Sequence, residues 1–219
     1  GVTELFFSVS QRIFTRYGIP IRFAHLDSTT FSLHGEYNSA FDPDVVPERV
    51  IHITKGFSKD HAPELNQVVL QLICTHKSSM PMWIEALSGN TNDKKSFAAT
   101  VKSFQRQFKN ESMPYMVMDS AFYTKQNIDE CQDIQWVTRV PETVGEVKSR
   151  YKTIDTEQIT DAGNGHRFLP VHSTYGGVKQ RWLIVHSEHA YTREMKTFEK
   201  TLEKERSRIY AIAIQVFLY

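Results

Sequence analysis

The stretch from His25 to Phe31 constrains this chain most, because it places the carboxylate of Asp27 inside a segment that otherwise has the pattern of a buried β-strand. Side chains alternate between the two faces of a strand, so Asp27 shares its face with Phe23 and Phe31. A carboxylate on a largely apolar face is costly to bury alone. The pattern therefore predicts that Asp27 has a partner, which is a cation, an arginine or a metal ion.

A second run, from Tyr115 to Ser120, has the same form and contains Asp119 at its end. It is apolar on both faces, which is typical of a central strand with parallel neighbours. If the two strands are neighbours, they lie about 4.8 Å apart. Asp27 and Asp119 could then share one or two divalent ions, which lie roughly 3.5–4 Å apart in two-metal sites. The spacing leaves open the alternative that each aspartate caps a turn or pairs with a nearby lysine.

Composition limits the class of protein. The 219 residues, 40% of them hydrophobic, are enough for one sizeable core, or for one core with an inserted subdomain. The formal net charge is +1, so any surface that binds nucleic acid must be local. Cys74 and Cys131 form no motif, which disfavours a disulfide framework or a structural zinc and favours a reducing, cytosolic compartment. No signal peptide or membrane span is predicted, and the apolar start and end of the chain indicate a fragment of something longer.

The elements up to Pro141 predict a mixed α/β sheet with helices. After a helix over 3–17, the order is strand, strand, strand, helix, strand, helix, strand. The predicted segments are the Asp27 strand, an antiparallel hairpin over 65–75 and 80–87, an amphipathic helix carrying Phe97, Val101, Phe104 and Phe108, the Asp119 strand, a helix over 126–132 and a strand over 134–140. The sequence pattern over residues 51–60 predicts a short strand that runs into a basic loop, where Lys55 and Lys59 flank Gly56. That loop is either a solvated turn or a place where lysines meet phosphates.

The sequence becomes more polar and charged after Pro141. Residues 142–165 are polar, and two runs over 167–173 and 181–187 predict a hairpin around Tyr175, Gly176 and Gly177. Residues 190–208 predict a charged helix with a narrow apolar side. We therefore predict a core over 1–141 that carries both aspartates, an insertion subdomain over 142–208, and an apolar tail over 209–219 that begins a return to the core.

Several ordered pieces of sequence carry a resemblance to a known family. They are His25-Leu26-Asp27-Ser28-Thr29, Gly35-Glu36-Tyr37, Ile53 to His61, Gln67, Ser88-Gly89-Asn90 with Asp93, Met118-Asp119-Ser120-Ala121, and Trp136 to Pro141. With these pieces the chain resembles the DDE transposases of bacterial insertion sequences, in the branch whose third acid lies in a Tyr-Arg-Glu-Lys motif. The resemblance covers residues 20–141 closely and the rest loosely.

The resemblance implies an RNase H-like fold, which is a mixed sheet flanked by helices, with a β-rich insertion after the fifth strand. It implies Mg²⁺-dependent DNA cleavage and strand transfer by in-line phosphoryl transfer, with Mn²⁺ as a substitute. The implied partners are the transposon ends and target DNA, with a homodimer on DNA and a nucleoid-associated place in a bacterial cytoplasm. Asp27 and Asp119 are implied as catalytic metal ligands. The implied supporting residues are His25, Ser28, Thr29 and Ser120, and the candidate phosphate contacts are Lys55, Lys59 and Arg139.

The sequence departs from the family pattern at the third acid. The nearest string, Tyr191 to Glu194, has the wrong spacing, and Glu199 and Glu203 fit no better. We therefore expect the third acid beyond Tyr219, or lost. Members of the family tend to carry positively charged residues at the two positions where this chain has Ala62 and Asn66. The competing functions are a transposase catalytic domain, a non-catalytic remnant that binds DNA or protein, and a metal-dependent nuclease that is not a transposase.

Overall fold

The computed structural model describes residues 1–35, 37, 50–57, 62–108 and 112–217, so the predicted contact Lys59 lies outside the described residues. The chain divides into two compact units. The first contains residues 1–148 and 176–178, and the second contains residues 149–175 and 179–219. Among the described residues, no helix combines the length and the apolar character needed to cross a bilayer.

The first unit is built around one five-stranded mixed sheet. Its elements are α1 (Val2–Tyr17), β1 (Phe23–Leu33), β2 (Asn66–Thr75), β3 (Pro81–Ser88), α2 (Asp93–Gln105), β4 (Tyr115–Met118), α3 (Lys125–Glu130) and β5 (Trp136–Thr138). The strand order is β3-β2-β1-β4-β5. β2 pairs antiparallel with both β1 and β3, whereas β4 pairs parallel with both β1 and β5. The predicted order of elements is confirmed, and the fold is RNase H-like.

Local sequence signals explain where the helices of this unit begin and end. Gly18 adopts a left-handed conformation, with φ of 61°, and ends α1 as predicted. The side chain of Asn92 accepts a hydrogen bond from the backbone N–H of Lys94 and so caps the start of α2. The helical spacing of the α2 phenylalanines predicts an apolar face, and Phe97 and Phe104 are fully buried.

Phe104 is the centre of an aromatic cluster. Its ring lies edge-on to the rings of Phe7, Trp83 and Phe108, with centroids 5.7, 5.9 and 4.9 Å away. Edge-to-face pairs of this kind add to the stabilisation that burial provides. The cluster joins α1, β3 and α2, which are far apart in sequence.

The buried face of β1 is the opposite of the one that the sequence indicated. Ala24, Leu26 and Ser28 are buried, whereas Asp27 and Phe31 are exposed. The prediction that Asp27 lies on a buried face is therefore wrong. The two faces of this strand have a similar apolar content, so alternation identified the faces but not the one that is covered.

Three other elements differ from the predictions. Residues 50–57 form no strand, and Thr54 makes only one isolated bridge, to Gln67. The polar segment after Pro141 contains α4 (Gly145–Lys152) and β6 (Thr160–Gly163), which were not predicted. Short polar elements lack the apolar periodicity on which sequence-based assignment depends.

The second unit contains a three-stranded sheet and a long helix. β6, β7 (His166–Tyr175) and β8 (Val178–Ser187) lie in that order, which confirms the predicted hairpin. Gly176 and Gly177 have φ of 60° and 82°, and positive φ at both loop residues suits a two-residue hairpin turn. α5 (Glu188–Phe217) is longer than the predicted helix and continues through residue 208, where we predicted an apolar tail to begin.

We expect Phe104→Ala to lower the free energy of unfolding by about 3–5 kcal/mol, because it removes a fully buried ring from a close-packed cluster. Urea unfolding followed by tryptophan fluorescence measures the change. Phe57→Ala is the matched control, since the Phe57 side chain is 85% exposed. A loss at position 104 no larger than the loss at position 57 would contradict this account of the core.

Candidate active site

The register between β1 and β4 places Asp27 beside Asp119. Leu26 pairs with Met118 at the end of the parallel ladder, and each aspartate is the next residue along its chain. The backbone at Asp119 is still extended, with φ of −74° and ψ of 177°. Aligned residues of parallel neighbours lie about 4.8 Å apart and face the same side of the sheet. Both aspartates are exposed.

A third residue extends this arrangement across the sheet. Met118 pairs with Thr138 in the ladder between β4 and β5, so Arg139 follows at the position next to Asp119. The hydroxyl of Thr138 donates a hydrogen bond of 2.6 Å to the carbonyl oxygen of Asp119, which ties the two strand ends together. Arg139 is exposed. We call Asp27, Asp119 and Arg139 the acid–arginine row.

Backbone N–H groups hold both carboxylates. Ser28 N–H donates to Asp27 Oδ1 at 2.8 Å, and Ala121 N–H donates to Asp119 Oδ1 at 2.8 Å. Asp119 thereby caps a short 3₁₀ turn over Ser120–Phe122, which is the turn-capping alternative that the sequence left open. Capping and metal binding are compatible, because a carboxylate has two oxygens and about four lone-pair sites.

The predicted supporting residues fall in different places. His25 lies on the same face as Asp27, two residues before it, and Thr29 is exposed two residues after it. Ser28 lies on the opposite face and is buried. Ser120 begins the 3₁₀ turn that Asp119 caps.

His25 has a partner that the sequence did not indicate. Its Nε2 lies 2.9 Å from Nδ1 of His76, and the two rings are stacked with centroids 5.0 Å apart. Burial, and then the charge of His76, lower the pKa of His25. The neutral imidazole of His25 is therefore favoured.

The loop that carries Lys55 is fixed to the start of β2 through Gln67. Thr54 and Gln67 exchange backbone hydrogen bonds of 3.3 and 2.9 Å. The Gln67 side chain is buried, and its Nε2 donates to the carbonyl oxygens of Phe57 at 3.1 Å and Gly89 at 2.7 Å. We call this arrangement the glutamine clamp. Sequence reasoning found Gln67 only as one piece of a motif, and no periodicity links it to the residues that it holds.

Lys55 is exposed but does not belong to the acid–arginine row. Gln67 pairs with Ser32, which lies five residues beyond Asp27 on β1. At about 3.4 Å per residue, the clamp is roughly 17 Å along the strand from the acids. Of the predicted phosphate contacts that the structure describes, only Arg139 lies in the row.

The donor set is two carboxylates. Within the described part of the chain, no group of three or more His, Cys, Asp or Glu residues is arranged to hold a metal ion. Glu194, Glu199 and Glu203 are exposed on α5. Two carboxylates nevertheless fit Mg²⁺, which proteins bind through one or two carboxylates together with waters and substrate phosphates.

The fold and the row define an RNase H-like domain with adjacent acids where the central parallel strands end. The family model described as "Transposase DDE domain" matches residues 20–210, so the chain belongs to the DDE transposase domain family. No curated protein sequence matches the chain.

Solved transposase structures show remote likenesses. One is a piggyBac transposase synaptic complex with hairpin DNA, at 8% identity and a TM-score of 0.42, covering 75% of this chain and 33% of that one. Two others are a Mos1 transposase paired-end complex with the left transposon end and a Mos1 strand transfer complex. Their identities are 11% and 15%, their TM-scores 0.32 and 0.33, and each match covers 64% of this chain and 41% of that one. The chain thus spans less than half of each, and the family assignment rests on the sequence model.

We expect Gly89→Ala to destabilise the protein by about 1–3 kcal/mol, because the new methyl group would overlap the backbone carbonyl oxygens of Gln67 and Thr54. Gly145→Ala is the matched control, since a Cβ there meets no atom within 4 Å. Thermal or urea unfolding measures both variants. Equal stability of the two would contradict the close approach that the glutamine clamp requires.

Proposed function

We propose that this chain is the catalytic part of a DDE transposase of the bacterial insertion-sequence type, which cleaves DNA and transfers strands with a divalent metal bound to Asp27 and Asp119. The observation that carries the proposal is the alignment of the two acids on adjacent parallel strands. The family membership supports the reaction class, and the Asp-containing motifs support the assignment of these two residues.

The residues of the acid–arginine row have different roles. Asp27 and Asp119 provide hard oxygen ligands, and the bound N–H groups restrict each carboxylate before any ligand arrives. When bound, Mg²⁺ would activate the attacking oxygen and stabilise the leaving oxygen of an in-line displacement at phosphorus. Arg139 presents a guanidinium beside the acids, and its fork geometry suits a phosphate.

Lys55 has a different role in this proposal. The clamp that holds its loop is roughly 17 Å from the acids along β1, so Lys55 contacts a phosphate of the same DNA several nucleotides away from the reacting one. Contacts of this kind position the duplex without reading its sequence. The near-neutral charge of the chain fits such local contacts, because a net charge of +1 gives no overall attraction to DNA.

The two-carboxylate donor set favours a second candidate function, an inactive transposase remnant that binds DNA. In that case the third acid is lost and the remaining pair holds metal too weakly for chemistry. Metal binding and DNA cleavage separate the two functions, because a remnant cleaves no DNA even when its acids are intact.

We expect Asp27→Asn and Asp119→Asn each to abolish the binding of Mn²⁺ measured by calorimetry, because each removes one of two ligand charges. Asparagine keeps the acceptor oxygen that caps the turn, so the fold is retained. Asp155→Asn is the matched control, because Asp155 Oδ1 accepts from Glu157 N–H at 3.0 Å in the same two-residue geometry as Asp119.

The outcomes of this experiment are distinct. Binding lost at both positions and kept in the control supports a shared metal site. Binding that is indifferent to both substitutions overturns the assignment of Asp27 and Asp119. Binding with Mn²⁺-dependent cleavage of DNA supports the transposase and overturns the remnant.

We expect Arg139→Gln to weaken DNA binding and to reduce the magnitude of the slope of log K against log salt by about 1, because one phosphate contact is lost. Fluorescence anisotropy over a salt series measures this slope. Arg16→Gln, at an exposed position on α1, is the control for the loss of one positive charge. An unchanged slope in Arg139→Gln would remove Arg139 from the proposed DNA contacts.

A further inference from the structure

The helix α5 carries an exposed apolar stripe. Every residue from Tyr191 to Ile212 is exposed. The five largest apolar side chains of the stripe are 37% to 64% exposed, and they are Met195, Phe198, Leu202, Ile209 and Ile212. A contiguous exposed apolar surface of this kind marks an interaction site.

The spacing of the stripe is that of a coiled coil. With Glu205 included, its members recur at intervals of three and four residues from Met195 to Ile212. A repeat that averages 3.5 residues keeps one seam facing a partner helix, whereas a helix lying on a globular core needs a wider apolar face. Met195, Leu202 and Ile209 occupy one core position of the heptad, and Phe198, Glu205 and Ile212 occupy the other.

The charges beside the seam reverse along the helix. Glu194 and Glu199 flank its first half, and Arg206 and Arg208 flank its second half. In a parallel, in-register pair, Glu194 would face Glu199 of the other helix, and two Glu205 carboxylates would meet in one core layer. Both arrangements are unfavourable. The sequence therefore disfavours a parallel pair.

An antiparallel pair removes both conflicts. When Leu202 of one helix is opposite Glu205 of the other, Met195 meets Ile212 and Phe198 meets Ile209. The symmetry repeats each of these layers, so six layers cover the whole stripe. The same register brings Glu199 against Arg206 twice and places no like charges opposite each other. A surface that complements itself in shape and charge indicates a second copy of the same chain.

We propose that α5 forms an antiparallel coiled coil with α5 of a second copy of this chain, and that this seam is a homodimer interface. The polar residues on the outer side of the helix suit solvent. They include Lys196 and Glu203, and Glu203 Oε2 lies 3.9 Å from Nη1 of Arg206, which flanks the seam of the same helix. The inference is independent of the metal chemistry, since all of its residues lie on α5.

Sedimentation velocity over a concentration series tests the interface with charge variants of the full 219-residue chain. We expect the unmodified chain to dimerise. Glu199→Arg and Arg206→Glu each replace two attractive pairs with two repulsive pairs, so each should raise the dimer dissociation constant roughly tenfold. Lys196→Glu is the control for a charge reversal on the outer side and should leave dimerisation unchanged.

Mixing the two single variants gives the sharpest test. In a heterodimer of Glu199→Arg with Arg206→Glu, both inter-helix pairs are attractive again, so the mixed dimer should be roughly tenfold tighter than the dimer of either variant alone. A chain that stays monomeric up to its solubility limit overturns the proposal and assigns the stripe to another partner. A dimer whose dissociation constant is unchanged by both charge reversals also overturns the proposal, because the interface then lies elsewhere.

Discussion

The parallel pairing of β1 with β4 is the interaction on which the rest of the first unit depends. Buried Leu26 and Met118 are its last aligned pair, and this alignment carries the aspartates that follow onto one side of the sheet. A shift of one residue would turn Asp119 to the opposite face, because side chains alternate with a period of two. Packing of apolar residues beneath the sheet thus fixes the relative position of the charged groups above it.

Distant parts of the chain must come together before this pairing can form. Between β1 and β4 the chain makes β2, β3 and α2, and the aromatic cluster around Phe104 joins α2 to β3 and α1. The loops close at an entropic cost that the buried rings offset. The same packing therefore determines both the stability of the core and the geometry of the acid–arginine row.

The sequence was sufficient for the order of the elements, because apolar runs mark the strands and helices. It also indicated that the strands of Asp27 and Asp119 could be neighbours, which they are, whereas the role of the two acids as metal ligands stays a prediction. It was insufficient for the buried face of β1, where Phe23 and Phe31 made the exposed face as apolar as the covered one. It also did not indicate the pairing of His25 with His76 or the clamp at Gln67, because these contacts join residues with no shared periodicity. For α5, the sequence showed the narrow apolar side. That this side is available to a partner followed only from the structure, in which residues 191–212 are exposed.

The glutamine clamp has a consequence for the dynamics of the loop that carries Lys55. Gln67 belongs to β2, and its side chain and backbone hold Thr54, Phe57 and Gly89 at once. Such a loop cannot fluctuate open as an independent segment, because opening must also break bonds at the ends of β2 and β3. We therefore expect the amide hydrogen of Thr54, which bonds to the Gln67 carbonyl oxygen, to exchange with solvent through the same cooperative opening as these strand ends. The backbone beside Lys55 is thus held by the free energy of the sheet.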